Sequence, residues 1–144
     1  MNQFNFKSQP CTSCEQSERL LALGLKKETA DFYTPIKLNP DKGSLPCLPD
    51  FWTSDEPFYR NIREGSIPAW SLGRLIEMMP ESIHLDSFAD THYYRTLLPS
   101  KIIYMKYNHT WIWQSDKQND FDKCVDAIEW LINEGYFNKE YLEV

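Results

Sequence analysis

At 144 residues the chain has the size of one domain, and 42% hydrophobic with 15% aromatic residues exclude disorder as its default state. Fifteen basic and twenty-one acidic residues give a formal net charge of −6, a field that repels phosphate and argues against nucleic-acid binding. The sequence has no apolar run of the roughly 18 residues that a transmembrane helix needs and no signal-peptide pattern, so we expect a cytoplasmic protein without a membrane partner.

The N-terminal part of the chain predicts a short tail followed by a helix. Residues 1–10 show no sustained periodicity, so we expect a tail or an edge segment there. A helix is predicted over about residues 13 to 23, since Thr12 or Ser13 has a Glu or Gln three positions later, the spacing of a capping box. Gly24 suits the left-handed conformation that ends a helix.

The next stretch combines a strand pattern with many prolines. Residues 31–38 are rich in strand-forming side chains, but Pro35 lacks a backbone N–H, which confines this predicted strand to an edge or a bulge. Five prolines fall within residues 35–57, together with Asn, Asp, Gly and Ser residues that favour turns. We therefore predict a long proline-rich loop over residues 35–57.

Residues 66–81 predict a second helix. Pro68 or Ser71 can begin it, and Pro80 stops it. Trp70 is expected to pack where the chain enters the helix. The apolar side chains that share one helix face are Leu72, Leu75, Ile76 and Met79.

From Ile83 to Asp116 the hydrophobic period changes towards two, which predicts an antiparallel meander of three or four strands. Three of these strands are placed at residues 91–98, 101–107 and 110–116, and Asn108 with His109 suits a two-residue hairpin turn. The cross-strand pairs expected in that register are Tyr104 with Trp113, Met105 with Ile112, Lys106 with Trp111, and Tyr107 with Thr110.

Such a hairpin has two different faces. We expect helices to cover the face that carries Ile103, Met105, Tyr107 and Ile112. The opposite face is aromatic and requires cover from the long loop or from a partner, unless it stays exposed. It carries Ile102, Tyr104, Lys106, Trp111 and Trp113.

Residues 120–135 predict the longest helix of the chain. Apolar residues recur at three- and four-residue spacing, Asn119 or Asp120 can cap its first turn, and Gly135 can end it. Trp130 falls on the polar side, so it requires either a second packing layer from the first two helices or another chain as its interface anchor. The whole pattern predicts a single α+β domain, residues 1–144, with three main helices packed on the antiparallel meander.

Three stretches together carry a resemblance to a known group of proteins: CEQSERLLALGLKKETAD, IPAWSLGRLIEMMPE and CVDAIEWLINEGYFNKEYL. They resemble segments of small proteins encoded in prophage-like or conjugative mobile regions of gut anaerobic bacteria. The likeness covers roughly a third to two fifths of the chain. That group has no established activity and none of the stretches is a catalytic signature, so the resemblance implies a genomic setting and assigns no active-site residue.

The cysteines are the candidate metal ligands. Cys11 and Cys14 have the two-residue spacing that lets two thiolates bind one zinc ion, and Cys47 with a histidine or Cys124 would have to complete the site. No second CxxC or HxxxH pair supplies those ligands, so ordinary reduced thiols are favoured over zinc and over redox chemistry. We therefore expect no cofactor, and metal analysis of the purified protein would test this.

Two functions fit these patterns. The favoured one is a non-enzymatic protein-interaction module, an accessory, regulatory or immunity-like protein of a mobile element, which binds a protein partner or itself. The alternative is a small enzyme or ligand-binding domain, with or without zinc, whose pocket lies between the proline-rich loop and the aromatic hairpin face. The candidate partner-binding residues are Trp130, Trp111, Trp113, Tyr104 and Lys106.

Overall fold

A computed structural model describes residues 9–35, 45–46, 66–84, 92–98, 101–105, 111–115 and 117–143. Three α-helices lie in these ranges: α1 (Cys14–Ala22), α2 (Leu72–Met78) and α3 (Asp120–Glu134). Within the described parts of the chain, no helix has the length and apolarity needed to cross a membrane.

The described strands form two antiparallel sheets. The first has the order β2-β1-β3 and the second the order β4-β5-β6-β7. The predicted α+β class, with three helices and a four-stranded antiparallel meander, is confirmed. The strands are β1 (Phe32–Pro35), β2 (Leu45–Pro46), β3 (Ser66–Ala69), β4 (Ser82–His84), β5 (His92–Leu97), β6 (Ile102–Met105) and β7 (Trp111–Ser115).

Local capping chemistry fixes the ends of the two longer helices, as the sequence predicts. At α1 the Ser13 hydroxyl accepts the Gln16 N–H at 3.2 Å, and the Gln16 side chain accepts the Ser13 N–H at 3.0 Å. At α3 the Asn119 side chain accepts two first-turn N–H groups. Gly135 ends α3 with φ of 81°, a conformation that glycine adopts without steric cost.

The first sheet corrects the position predicted for β1. The strand exists, but it lies between β2 and β3 instead of at an edge. Pro35 is tolerated there because β2 pairs only with Phe32 and Tyr33, so Pro35 faces Ser66 of β3 and no residue of β2. Within the predicted loop 35–57 the described residues lie in β1 and β2, and the remainder falls outside the described residues.

The second predicted helix is shorter than expected. Residues 66–69 form β3, and α2 begins only after Ser71, whose hydroxyl accepts the Arg74 N–H at 3.1 Å. Pro68 is therefore not a helix start, because it pairs with Tyr33 of β1. The sequence pattern missed this strand because its pairing partner lies more than 30 residues away, beyond any local signal.

The predicted β6–β7 register is partly right. Tyr104 pairs with Trp113 as expected, but Met105 pairs with Trp111 instead of Ile112, because a bulge adds one residue to β7. Residues 106–110, which include Lys106 and the predicted Asn108–His109 turn, lie outside the described residues.

Helix α3 covers the opposite sheet face from the one that the sequence predicts. The core cluster that contains the apolar side of α3 includes Ile102 and Tyr104, and Trp113 packs against it. Burying Tyr104 removes a large ring from water while its hydroxyl donates to the Pro80 carbonyl at 2.7 Å, so little is lost in polar desolvation. The aromatic face of the hairpin therefore receives the helix, and the prediction that the Ile103 face would receive it is wrong.

Trp70 packs where the chain enters α2, as predicted, and a network of hydrogen bonds surrounds it. Its indole N–H donates to the Thr29 hydroxyl at 2.9 Å, and its backbone N–H donates to the Thr12 hydroxyl at 3.0 Å. The Thr12 hydroxyl is 2.7 Å from that of Ser17. Trp70, Thr12 and Ser17 are each at most 1% exposed, so this hydrogen-bond network is closed to water.

Helix α1 and the segment that follows α3 are joined to each other. The Lys26 N–H donates to the Tyr141 carbonyl at 2.9 Å, and the Glu143 N–H donates to the Gly24 carbonyl at 2.6 Å. At the other end of α3, the Gln16 side-chain amide donates to the Asp122 carboxylate at 2.7 Å. Helix α3 is therefore tied to the α1 region at both of its ends.

Candidate interaction site

An open groove of about 340 Å³ runs between β7 and α3. Strand β7 places Trp113, Gln114 and Ser115 along one side. Helix α3 provides the other side, and Lys117 lies in the connection between the two elements. The residues from α3 are Asp126, Glu129, Trp130 and Asn133, which share one helix face because they lie three, four and seven positions apart.

Two stacked indoles form the aromatic part of the groove. The rings of Trp113 and Trp130 have centroids 5.4 Å apart and planes inclined by 18°. Trp130 also contacts Tyr104 at 5.8 Å and Tyr136 at 5.7 Å between centroids. Trp130 thus packs on the aromatic face of the hairpin, a packing partner that the sequence pattern does not predict. It stays half-buried at the groove wall.

The predicted partner-binding residues occupy different depths. Trp113 and Trp130 meet in the groove, and Trp111 lies two positions earlier on β7 with 51% of its surface exposed. Tyr104 is fully buried in contact with Trp130 and does not line the groove. Burial also raises the pKa of the Tyr104 hydroxyl above its usual value, which keeps it protonated as a donor. Lys106 lies outside the described residues.

Two carboxylates stand beside the indoles. Asp126 accepts from the Arg19 guanidinium at 2.9 Å, and Glu129 accepts from the same guanidinium. The hydrogen bond to Glu129 raises the pKa of Arg19, which favours its charged form. Lys117 Nζ lies 3.9 Å from Asp126, and the Ser115 hydroxyl lies 3.4 Å from it.

The acidic surface extends beyond these two carboxylates. Helices α1 and α3 are in contact and together carry seven acidic and two basic residues, a net charge of −5. Both basic residues are engaged: Arg19 holds the groove carboxylates, and the buried Lys123 pairs with Asp120 at 2.8 Å. The helix pair therefore presents an excess of negative charge beside the aromatic groove.

Sequence reasoning found the two indoles of this groove but missed its carboxylates and the polar residues of β7. A local signal for the α3 wall did exist, since Asp126, Glu129 and Trp130 recur at three- and four-residue spacing. For Gln114 and Ser115 we find no such signal, because their place at the groove depends on how α3 lies against the sheet.

The cysteines lie at the start of α1 and in the core. Cys11 is buried, and Cys14 is the first residue of α1, while Cys47 lies outside the described residues. Among the described residues, no group of three or more His, Cys, Asp and Glu side chains could hold a metal ion. Cys124 lies on the buried side of α3, and this burial raises the pKa of its thiol to about 12.

The alternative pocket, between the proline-rich loop and the aromatic hairpin face, has one wall in the described structure. That wall is covered by α3 at Tyr104 and partly at Trp113. Of the loop, only residues 35 and 45–46 are described, and they belong to the first sheet.

Comparison of the chain with protein-family models, with curated proteins and with solved structures gives no match in any of the three. The functional interpretation therefore depends on the geometry and charge of the groove.

Proposed function

We propose that this protein is a non-enzymatic protein-interaction module that binds a basic protein partner in the groove between β7 and α3. One observation carries the proposal: a stacked indole pair, Trp113 with Trp130, lies beside the carboxylates of Asp126 and Glu129 on a helix pair with a net charge of −5. As part of a mobile element, such a module would act as an accessory, regulatory or immunity-like protein.

Arginine is the side chain that this combination of groups suits best. Its guanidinium stacks on an indole, a contact that contributes about 0.5–2 kcal/mol depending on exposure, and it pairs with carboxylates through two parallel hydrogen bonds. One guanidinium nitrogen of Arg19 already donates a hydrogen bond to Asp126 and another to Glu129 from the α1 side. The open side of the groove offers the same carboxylates to a cation from another chain.

Arg19 and Lys117 are positively charged, so they weaken the electrostatic attraction between the groove and a cation. They do not cancel the attraction that the surrounding surface of α1 and α3 exerts. The net charge of −5 on α1 and α3 already includes Arg19, and Glu15, Glu18 and Glu134 form no ion pair within the described part of the chain. A basic segment is therefore attracted over distances up to about 10 Å at moderate salt, and acidic partners are repelled.

Binding is also a better match than catalysis for the residues at hand. None of the eight described residues that line the groove is a histidine or a cysteine. The one hydroxyl among them, on Ser115, has a carboxylate as its side-chain partner and no imidazole to activate it.

Selection from a peptide library tests the proposal. Phage-displayed random dodecapeptides are selected on the folded wild-type protein and counter-selected on the double variant Asp126→Asn with Glu129→Gln. We expect the enriched peptides to be arginine-rich with a net positive charge. Their synthetic forms should bind the double variant at least about tenfold more weakly than the wild type, a loss of about 1.4 kcal/mol.

A matched control separates a groove effect from a change in net charge. Glu77→Gln together with Glu81→Gln also removes two carboxylates, and both of these residues are exposed and do not line the groove. This variant should bind the enriched peptides like the wild type. Enrichment of neutral or acidic peptides, or equal binding by the variant with Asp126→Asn and Glu129→Gln, would show that the groove does not recognise a basic partner.

A further inference from the structure

Strand β7 has one edge that no described strand occupies. It pairs with β6 along one side, and the described strands include none on its other side. The backbone groups of Trp111–Ser115 on that side make no hydrogen bond within the described part of the chain. Unpaired N–H and C=O groups in an extended strand are a template for one more strand.

The two edges of this sheet differ in what they expose. The far edge, β4, has three residues, and those on either side of its buried Ile83 are Ser82 and His84. The near edge, β7, has five residues and exposes half of Trp111. Large apolar side chains on an unpaired edge promote association unless a partner covers them, so β7 is the edge that a partner fits.

A strand added to β7 would lie over the groove. Neighbouring strands are about 4.8 Å apart, and alternate side chains point to opposite faces of a sheet. Every second residue of an added strand would therefore point towards α3, where Asp126, Glu129 and the indole of Trp130 line the wall. The remaining residues would point to the opposite face of the sheet.

Charge decides between a basic segment and a second copy of this chain as the added strand. Pairing β7 with β7 around a twofold axis perpendicular to the sheet would put both α1–α3 pairs on one face, side by side. Each pair carries a net charge of −5, so the copies repel each other where a basic segment is attracted.

We propose that the partner segment binds in extended form as an additional strand on the outer edge of β7, with basic residues at alternate positions facing α3. This inference depends on the proposed function, since it specifies how the groove binds its partner. The partner is thereby narrowed to a protein with an extended segment in which arginine or lysine occupies every second position.

A pair of capped heptapeptides of identical composition tests the strand. One is Thr-Arg-Val-Arg-Thr-Arg-Val, and the other gathers its three arginines in one block. Both are titrated into the ¹⁵N-labelled full chain and followed by NMR. We expect the alternating peptide to bind at least about tenfold more tightly, with Hα contacts to β7 and with shifts of the Trp111–Ser115 amides.

Backbone methylation separates strand pairing from charge alone. Two versions of the alternating peptide are N-methylated, one at the even and one at the odd positions. Strand addition predicts that one of them loses binding at least about tenfold while the other keeps it, because only alternate N–H groups face β7. If both keep their affinity, or if both heptapeptides bind equally, the strand is refuted while a basic-partner function stands.

The remaining outcomes bear on the proposed function and on which chain pairs with the outer edge of β7. If neither heptapeptide binds and the library yields no basic peptide, the proposed function is wrong along with the strand. If the β7 amides of the protein alone shift with dilution, a second copy occupies the edge and the basic segment is overturned. Trp111→Ala should weaken the alternating peptide about fivefold, whereas Leu97→Ala, 48% exposed on β5, should not.

Discussion

The surroundings of Trp70 and the groove between β7 and α3 bury their tryptophans to different extents. Trp70 is fully buried, and both its indole N–H and its backbone N–H are satisfied by threonine hydroxyls of the same chain. Trp130 and Trp113 stack on each other but stay half-buried, with carboxylates and open space beside them. The first arrangement stabilises the fold and leaves nothing to recognise, whereas the second leaves apolar surface and charge available to another molecule.

The largest expected difference is in stability. Trp70→Ala should cost about 3–5 kcal/mol in the free energy of unfolding, because it leaves a closed cavity, whereas Trp113→Ala should cost about 1–2 kcal/mol. Urea unfolding at pH 7 measures both. Equal losses would mean that Trp113 is as much a part of the core as Trp70 is.

The hydrogen-bond network around Trp70 should contribute less to the free energy of unfolding than the indole itself. Thr12→Val removes the acceptor of the backbone N–H of Trp70 and the hydrogen-bond partner of the Ser17 hydroxyl. Because both of these groups are buried, the change should lower the free energy of unfolding by about 1–3 kcal/mol. Ser115→Ala, which removes a 3.4 Å contact to Asp126 at the groove, should cost less than about 1 kcal/mol. The denaturant midpoints of the two variants can be compared directly. A larger loss of stability for Ser115→Ala would mean that the contact at the groove stabilises the fold more than the network around Trp70 does.

Alkaline pH tests whether the core on the sheet side of α3 is as dry as the surroundings of Trp70. Burial raises the pKa of the Cys124 thiol from 9.0 to about 12, so the folded state holds this proton more tightly than the unfolded state. The contribution of the protonated thiol to the free energy of unfolding is complete below pH 9. It is lost as the pH rises towards about 12, by about 1.4 kcal/mol per pH unit. The raised pKa of Tyr104 adds a loss of the same sign at higher pH.

Urea midpoints at pH 7, 9 and 10.5 measure this loss. Cys124→Ala should remove the part that the thiol contributes and leave that of Tyr104. A midpoint that stays constant to pH 10.5 in the wild type would indicate that water reaches the core around Cys124.

The ion pairs of Arg19 should have the smallest effect on stability. Arg19 has 43% of its side chain exposed, so Arg19→Met should cost under about 1 kcal/mol, and 500 mM NaCl should reduce the difference in melting temperature from the wild type. The same variant leaves Asp126 and Glu129 without their guanidinium and should bind the alternating peptide about threefold more tightly. Weaker binding would show that Arg19 organises the groove and does not compete for it.

The features that the sequence predicts correctly are those encoded within a few residues. Ser13 with Gln16, Asn119 and Gly135 each form the cap that their spacing indicates, because a cap depends on its own turn alone. The strands of the meander also lie where the residue types favour them. Strand β3 was missed, because its partner β1 is distant in the sequence.

The side of the hairpin that receives α3 was predicted wrongly, and this error hid half of the groove. Tyr104 buries more apolar surface than Ile103 and finds a carbonyl for its hydroxyl, so packing selects the aromatic face. Once that face meets α3, Trp130 acquires Trp113 as its mate and the carboxylates come to the same opening. Those contacts follow from the orientation of the helix on the sheet, which no local pattern specifies.

The backbone connections between residues 24–26 and residues 141–143 have a consequence for the speed of binding. They hold the end of α3 against the α1 region, as the Gln16 to Asp122 contact holds its beginning. The acidic wall is therefore in its final position before any partner arrives, and only the incoming segment has to become ordered. We expect association to be a single, salt-dependent step with no slow phase, and partners to differ mainly in how long they stay bound.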